Sequence, residues 1–406
     1  MHGGHRVGAG RKALENSEKK KDRKIYISEE LFDRVMSEES LSQKSFSQRC
    51  AILIEKGLDN APSSLVSKTS FSDAIDAMYR TTESDLNSVV AESNLRFIDL
   101  FAGIGGIRQG FEDDKTQCVF SSEWDKFAAQ TYEANYGEKP FGDITQIDEN
   151  KVPDHDVLLA GFPCQPFSNI GKREGFKHET QGTLFFDILR IMDKKQPKMF
   201  LLENVKGLLT NDEGRTFDVI QRSLRERGYS IFHDVLDAQN YGLPQRRERL
   251  IIVGFHSSLD IKKFDFPKGQ SNLKTSIGSV IESERIGKAP SRHLKVSEHL
   301  QKSYLFKQND GRPQLVDLNS SIQVNTLVAS YHKIQRLTGT FVKDGDTGIR
   351  LFSENELKSI MGFPNDFIVP VSTTQMYRQF GNSVAIPMIR AVSTAMKEVY
   401  FKQKAR

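Results

Sequence analysis

The chain is poor in sulfur and indole, with three cysteines and one tryptophan among 406 residues. Cys50, Cys118 and Cys164 are odd in number and widely separated, which argues against a disulfide framework and leaves no CxxC spacing for a structural metal. Long uncharged apolar runs are also missing, and the opening Met1-His2-Gly3-Gly4-His5 has no apolar h-region. A membrane span or signal peptide is therefore not expected, and a reduced, cytoplasmic setting is. A strong excess of one charge is absent as well, the net charge being +4. Locally, however, residues 262 to 312 hold eleven Lys or Arg against five Asp or Glu. Such a stretch fits either a solvated face or a surface that neutralises phosphates.

With 37% hydrophobic residues the chain has enough apolar mass for two or three domains. Residues 1 to 25 are polar and carry Lys19-Lys20-Lys21-Asp22-Arg23-Lys24, the texture of an arm. A short alternating strand at 24–28 and two helical patterns, the second opened by a capping-box sequence at Ser45 to Gln48 and stopped at Gly57, follow. Strand, helix, helix resembles a ribbon-helix-helix DNA-binding module; a helical extension that packs or dimerises fits the same pattern. The arm and this module occupy 1–60, and Ser-rich, acidic residues 61–93 read as a linker. From Leu95 the chain alternates strand and helix signals. Apolar runs at 95–100, 117–121, 156–160 and 198–202, with others at 231–236 and 249–255, suit strands buried on both faces. The expected fold is a doubly wound, mostly parallel α/β sheet with ligands at the carboxyl ends of its strands.

The first strand runs into Phe101-Ala102-Gly103-Ile104-Gly105-Gly106, a glycine turn before a helix. A dinucleotide fingerprint wants a small residue three positions after Gly105, where Arg108 stands, so pyrophosphate binding is disfavoured. Glu123 follows Gly103 by 20 residues, the place of a ribose-binding carboxylate. Trp124 offers a stacking face, and Asp143 and Ile144 an amine acceptor and an apolar wall. Each of these is singly no more than a common strand-end residue. As an ordered set they describe an adenosine site without a diphosphate, and S-adenosylmethionine fits it, its sulfonium favoured by an acidic rim of Asp99, Glu123 and Asp143.

Cys164, in Gly161-Phe162-Pro163-Cys164-Gln165-Pro166-Phe167-Ser168, follows a strand at the crevice edge of the sheet. A thiolate there is suited to add to the electrophilic C6 of a pyrimidine. Glu203, ending the next strand, would supply an acid at N3. Arg247 and Arg249 alternate onto one face and could hold the pyrimidine O2, a phosphate or Glu203; a solvated strand edge is the plainer alternative.

These motifs, with Gly182-Thr183-Leu184-Phe185-Phe186, Met361-Gly362-Phe363-Pro364 and Gln379-Phe380-Gly381-Asn382-Ser383-Val384 in order after them, resemble the DNA (cytosine-5) methyltransferases of bacterial restriction-modification systems, over roughly 96–399. The resemblance implies that Phe101 stacks on adenine, that Gly103, Gly105, Trp124 and Pro163 line the same cofactor site, and that Asn382 and Leu184 close its methionine side. It implies base flipping and no metal. It places DNA contacts on a mobile loop including Ser168, Asn169, Ile170 and Lys172, and on Thr326 and Leu327. The catalytic domain would span 94–272 and be completed by 376–402 around a target recognition domain at 273–375. Double-stranded DNA is the expected partner, with a cognate restriction endonuclease encoded nearby, a monomer in catalysis, dimerisation left to the N-terminal module, and a nucleoid-associated location. Methylation of tRNA, or repression of a promoter as a second activity, are the alternative readings.

Overall fold

A computed structural model describes residues 95–163, 184–272, 274–283, 286–288, 294–344 and 348–404. The N-terminal arm, module and linker lie outside them, as do Cys164, Ser168, Asn169, Ile170 and Lys172. The six expected strands all form: β1 (Leu95–Leu100), β2 (Thr116–Ser122), β3 (Val157–Gly161), β4 (Met199–Val205), β5 (Tyr229–Asp237) and β6 (Glu248–His256). They make one sheet in the order β2-β1-β3-β4-β6-β5. Only β6 runs against its neighbours. The strand order reverses between β1 and β3, where an open α/β sheet places its ligand crevice.

Because successive side chains of a buried strand point to opposite faces, each strand feeds two cores. Phe97, Leu159, Leu201 and Val253 face one layer, built by α1 (Gly106–Phe111) and by Met388, Ile389, Val392 and Met396 of the C-terminal helix. Ile98, Leu158, Phe200 and Leu202 face the other, built by α3 (Leu184–Lys195) and α4 (Arg215–Glu226). Helix α2 (Lys126–Tyr136) follows β2, capped by Asp125 and ended by Gly137 in the left-handed region.

After β6 the chain builds a second core from Val316, Val342, Phe352, Leu357, Phe363 and Phe380, among others. Its small sheet pairs β7 (Gln314–Val316), β8 (Thr340–Asp344) and β9 (Gly348–Arg350), followed by α5 (Glu354–Met361) with a full capping box at Ser353 and Glu356. Helices α6 (Thr373–Asn382) and α7 (Ile386–Lys404) then return the chain to the large sheet. Among the described residues no helix is long and apolar enough to cross a membrane.

Candidate active site

The glycine turn that ends β1 is held open from three sides. Phe101 itself takes a left-handed φ of 55°. The Gly103 amide donates to Glu123 Oε2 at 2.8 Å, and the Tyr136 hydroxyl donates to the Gly105 carbonyl at 2.9 Å. A Cβ on Gly105 would lie 2.3 Å from the Tyr136 ring, so glycine is demanded there by space as well as by its φ of 81°. Glu123 also accepts from the Asp125 amide at 2.7 Å through its other oxygen. Burial pushes the Glu123 carboxyl above its ordinary range, and these two amides oppose the shift. A carboxylate has about four lone-pair sites, so Glu123 retains acceptor capacity for a pair of ribose hydroxyls. Trp124 beside it is 70% exposed.

Asp99 is not part of any rim. It is fully enclosed on the α1 and α7 side of the sheet, and among the described residues neither of its oxygens has a hydrogen-bond partner. Desolvation drives its carboxyl up to about 8, against the pull of Arg108. Asp143 is exposed and caps the short turn after it through Thr145 N, and Ile144 is buried in the α3 and α4 core.

At the other end of the cleft, Glu203 pairs in register with Gly161, which sets it beside the segment that continues to Cys164. Its carboxylate meets Arg249 Nε at 2.9 Å. Burial raises the Glu203 carboxyl, while Arg249 and then Arg247 hold it back. Asn204, which the sequence analysis did not single out, donates to the Phe162 carbonyl at 2.8 Å and so fixes the chain two residues before Cys164. Arg247 has the same orientation as Arg249 but a different occupation. It is 1% exposed and donates to main-chain carbonyls of Leu327 at 2.8 Å, Gly381 at 3.0 Å and Ser383. Burial works against its charge, as does Arg249, and Glu203 favours it.

Between the two ends lies one cleft of about 480 Å³, within the range of small-molecule sites. Of the residues marked in the sequence, Phe101, Gly103, Glu123, Trp124, Pro163 and Leu184 line it, together with Glu203, Arg247, Arg249, Leu327 and Asn382. Gly105, Asp143, Ile144 and Thr326 are not in that lining. The Thr326 hydroxyl donates to the Arg246 carbonyl at 2.7 Å. The lining also includes Gln375 and Arg378 of α6, which the sequence reading passed over, and Gln379, which it quoted in the Asn382 motif without a role. With Asn382 they recur at helical spacing, a one-faced polar stripe that was there to be read. Thr131 Oγ1 lies 3.0 Å from Gln379 Oε1, leaving the Gln379 Nε2 buried without a partner among the described residues; Arg378 pairs with Asp125 at 3.3 Å. An amide with an unmet N–H and a glycine turn without side chains fit an adenosyl ligand that carries a carboxylate.

The sequence model of the C-5 cytosine-specific DNA methylases matches residues 95–398. The type II methyltransferase M.BsuFI of Bacillus subtilis is 61% identical over 405 residues, covering 98% of this chain and 97% of that protein. M.MspI of Moraxella sp is 48% identical, covering 92% and 85% respectively. In fold, a mutant of Spodoptera frugiperda DNMT2 superposes with a TM-score of 0.61 at 21% identity, over 76% of this chain and 99% of that one. The S. pombe Dnmt2 methyltransferase gives the same TM-score of 0.61 at 19% identity, covering 75% and 99%.

Proposed function

The chain belongs to the C-5 cytosine-specific DNA methylases, as an S-adenosylmethionine-dependent DNA cytosine-5 methyltransferase of the restriction-modification type, and from that premise we propose that it methylates one short double-stranded site through a covalent adduct of Cys164. The observation that carries the reading is the Glu203–Arg249 pair at the end of β4, next in register to the strand that leads to Cys164.

The target cytosine is flipped out of the duplex, because its C5 and C6 cannot be reached while stacked. Cys164 Sγ bonds to C6, and Glu203 holds a proton at N3, where negative charge would otherwise collect. When bound, the methyl donor would offer C5 an electrophilic sulfonium methyl, with S-adenosylhomocysteine as the leaving group. Loss of the C5 proton to solvent and breakage of the C6–Sγ bond restore the thiolate and the aromatic ring. Glu123 would hold the ribose of the donor, Phe101 and Trp124 would flank its adenine, and the α6 stripe would take its amino-acid end. Residues 273–375 act as the target recognition domain, and the module within 24–57 binds operator DNA or pairs protomers.

Incubating DNA and tRNA separately with labelled S-adenosylmethionine, using native protein and Cys164→Ala, tests the reading. Label at cytosine C5 of DNA with native protein alone is expected. Label on exocyclic N4, on tRNA alone, or persisting in Cys164→Ala overturns it. For the N-terminal module, deleting 24–57 is expected to change promoter occupancy or oligomeric state; no change in either removes that part.

A further inference from the structure

The segment 244–247 is held by main-chain hydrogen bonds and by the side chains of Gln245 and Arg247. On one side it runs in parallel with 324–327: Val324 N donates to the Pro244 carbonyl and Arg246 N to the Val324 carbonyl, each at 2.9 Å. Gln245, fully buried, accepts from Leu327 N at 2.7 Å. Its amide also donates to the Ile360 carbonyl at 3.3 Å and contacts Met361 Sδ. Arg247 takes the Leu327 carbonyl and reaches across to Gly381 and Ser383. Leu327 is thus gripped by both its amide and its carbonyl, from alternate side chains of one short segment. The residues after it, Val328 and Ala329, form cleft wall. Two residues beyond Arg247 stands Arg249 on the Glu203 carboxylate. An extended chain covers about 6.6 Å in two residues, too short a span to absorb a displacement.

We propose that Gln245 and Arg247 are positioning residues that tie the placement of the segment Asn325–Val328 to the catalytic pair Glu203–Arg249, so that seating of the target DNA and alignment of the acid are one event. The inference rests on the proposed reading of Thr326 and Leu327 as DNA-contacting. Three features favour coupling over a direct role for Arg247 at the base. Its terminal nitrogens are committed to three carbonyls from two other parts of the chain. Gln245, which lies outside the cleft lining, grips the same Leu327. A buried guanidinium among carbonyls is also harder to displace than one facing water, since each lost hydrogen bond leaves an unmet polar group.

The test uses full-length protein carrying Gln245→Met, Arg247→Lys and both together. For each variant it measures DNA affinity, S-adenosylhomocysteine affinity and the single-turnover methylation rate. Both single variants are expected to bind DNA and S-adenosylhomocysteine within about threefold of wild type. Their methylation rate is expected to fall about 100-fold, the size of effect that a misplacement near 1 Å produces. The double variant is expected to lose no more than the worse single one, because both act through Leu327. A wild-type rate in Gln245→Met, multiplicative losses in the double variant, or an equal weakening of S-adenosylhomocysteine binding overturns the coupling. Should Gln245→Met fail to fold, Arg247→Lys decides alone: it keeps the charge but cannot reach three carbonyls, and a wild-type rate there is equally fatal. A wild type that methylates no DNA overturns the proposed function instead, whereas an active wild type with unaffected variants overturns the coupling alone.

Discussion

Glu203 stands under opposed influences, burial favouring its neutral form and Arg249 its charged one. If the neutral form serves N3, turnover falls as pH rises through its folded value. Replacing Arg249 by Met removes a cation that holds that value down, so the alkaline limb of kcat in Arg249→Met should move to higher pH. A limb that stays in place or moves down, measured on kcat against pH, would contradict the assignment. Asp99 gives a second titration, on stability rather than rate. Its folded value of about 8 lies above the ordinary 3.8, so the native state binds more protons than the unfolded state between those values. Its contribution is fully present below the lower value, declines as pH rises, and is gone above about 8. The urea midpoint of wild type should therefore fall relative to Asp99→Asn over that window and run parallel to it beyond. Asp99 also marks a limit of the sequence reading. It was placed on a rim because it precedes the glycine turn, yet strand alternation already put it on the face of Phe97, inside the molecule. Glu123 and Glu203 were legible because each closes a strand at the crevice edge, where sequence position fixes place.

At the scale of elements, α6 comes closer to its neighbour than any side chain allows. A Cβ on Gly381 would sit 2.3 Å from the main chain of Val328 and Ala329. Gly381→Ala should push that cleft wall aside, costing about 1–3 kcal/mol by overpacking, and depress single-turnover rate more than its loss of stability accounts for; a wild-type rate would show that the wall tolerates the shift. In the second core, Arg350 and Glu356 are both fully buried and joined by two contacts of 2.8 Å, with Asp344 at 3.2 Å. Arg350→Met removes the cation from two buried carboxylates and should cost about 3–5 kcal/mol in chemical denaturation; a loss under about 1 kcal/mol would mean that the amide and hydroxyl donors already on those carboxylates suffice. None of this node was legible beforehand. β7 and β9 are three residues each, too short to show a period, and Arg350 reads in the sequence as one more cation. The six longer strands, buried on both faces, announced themselves as apolar runs.

On the scale of the whole molecule, α7 packs into a core whose other parts lie far earlier in the chain. Met388, Ile389 and Val392 fill the core beneath β1 and β3, and Lys397 donates to the Phe111 carbonyl at 2.8 Å. Deleting 386–404 should leave Phe97, Phe111 and Leu159 uncovered, and S-adenosylhomocysteine binding by calorimetry should be abolished while the Arg350 core still unfolds as a unit; retained binding would show that the early strands close the cleft unaided. The motif around Asn382 led to the expectation that 376–402 completes the catalytic domain; the reach of α7 into the sheet core was not read from it.

The cleft wall at Gly381 to Val384 also carries a meaning in time. A ribosome makes β1, β4 and Glu203 well before it makes the α6 residues that line the cleft with them, so a chain still growing would hold one wall of the cleft without the other. Binding of the methyl donor should therefore begin only once α6 and α7 have been made and have folded back. A chain that breaks off before α6 should accordingly be unable to methylate DNA.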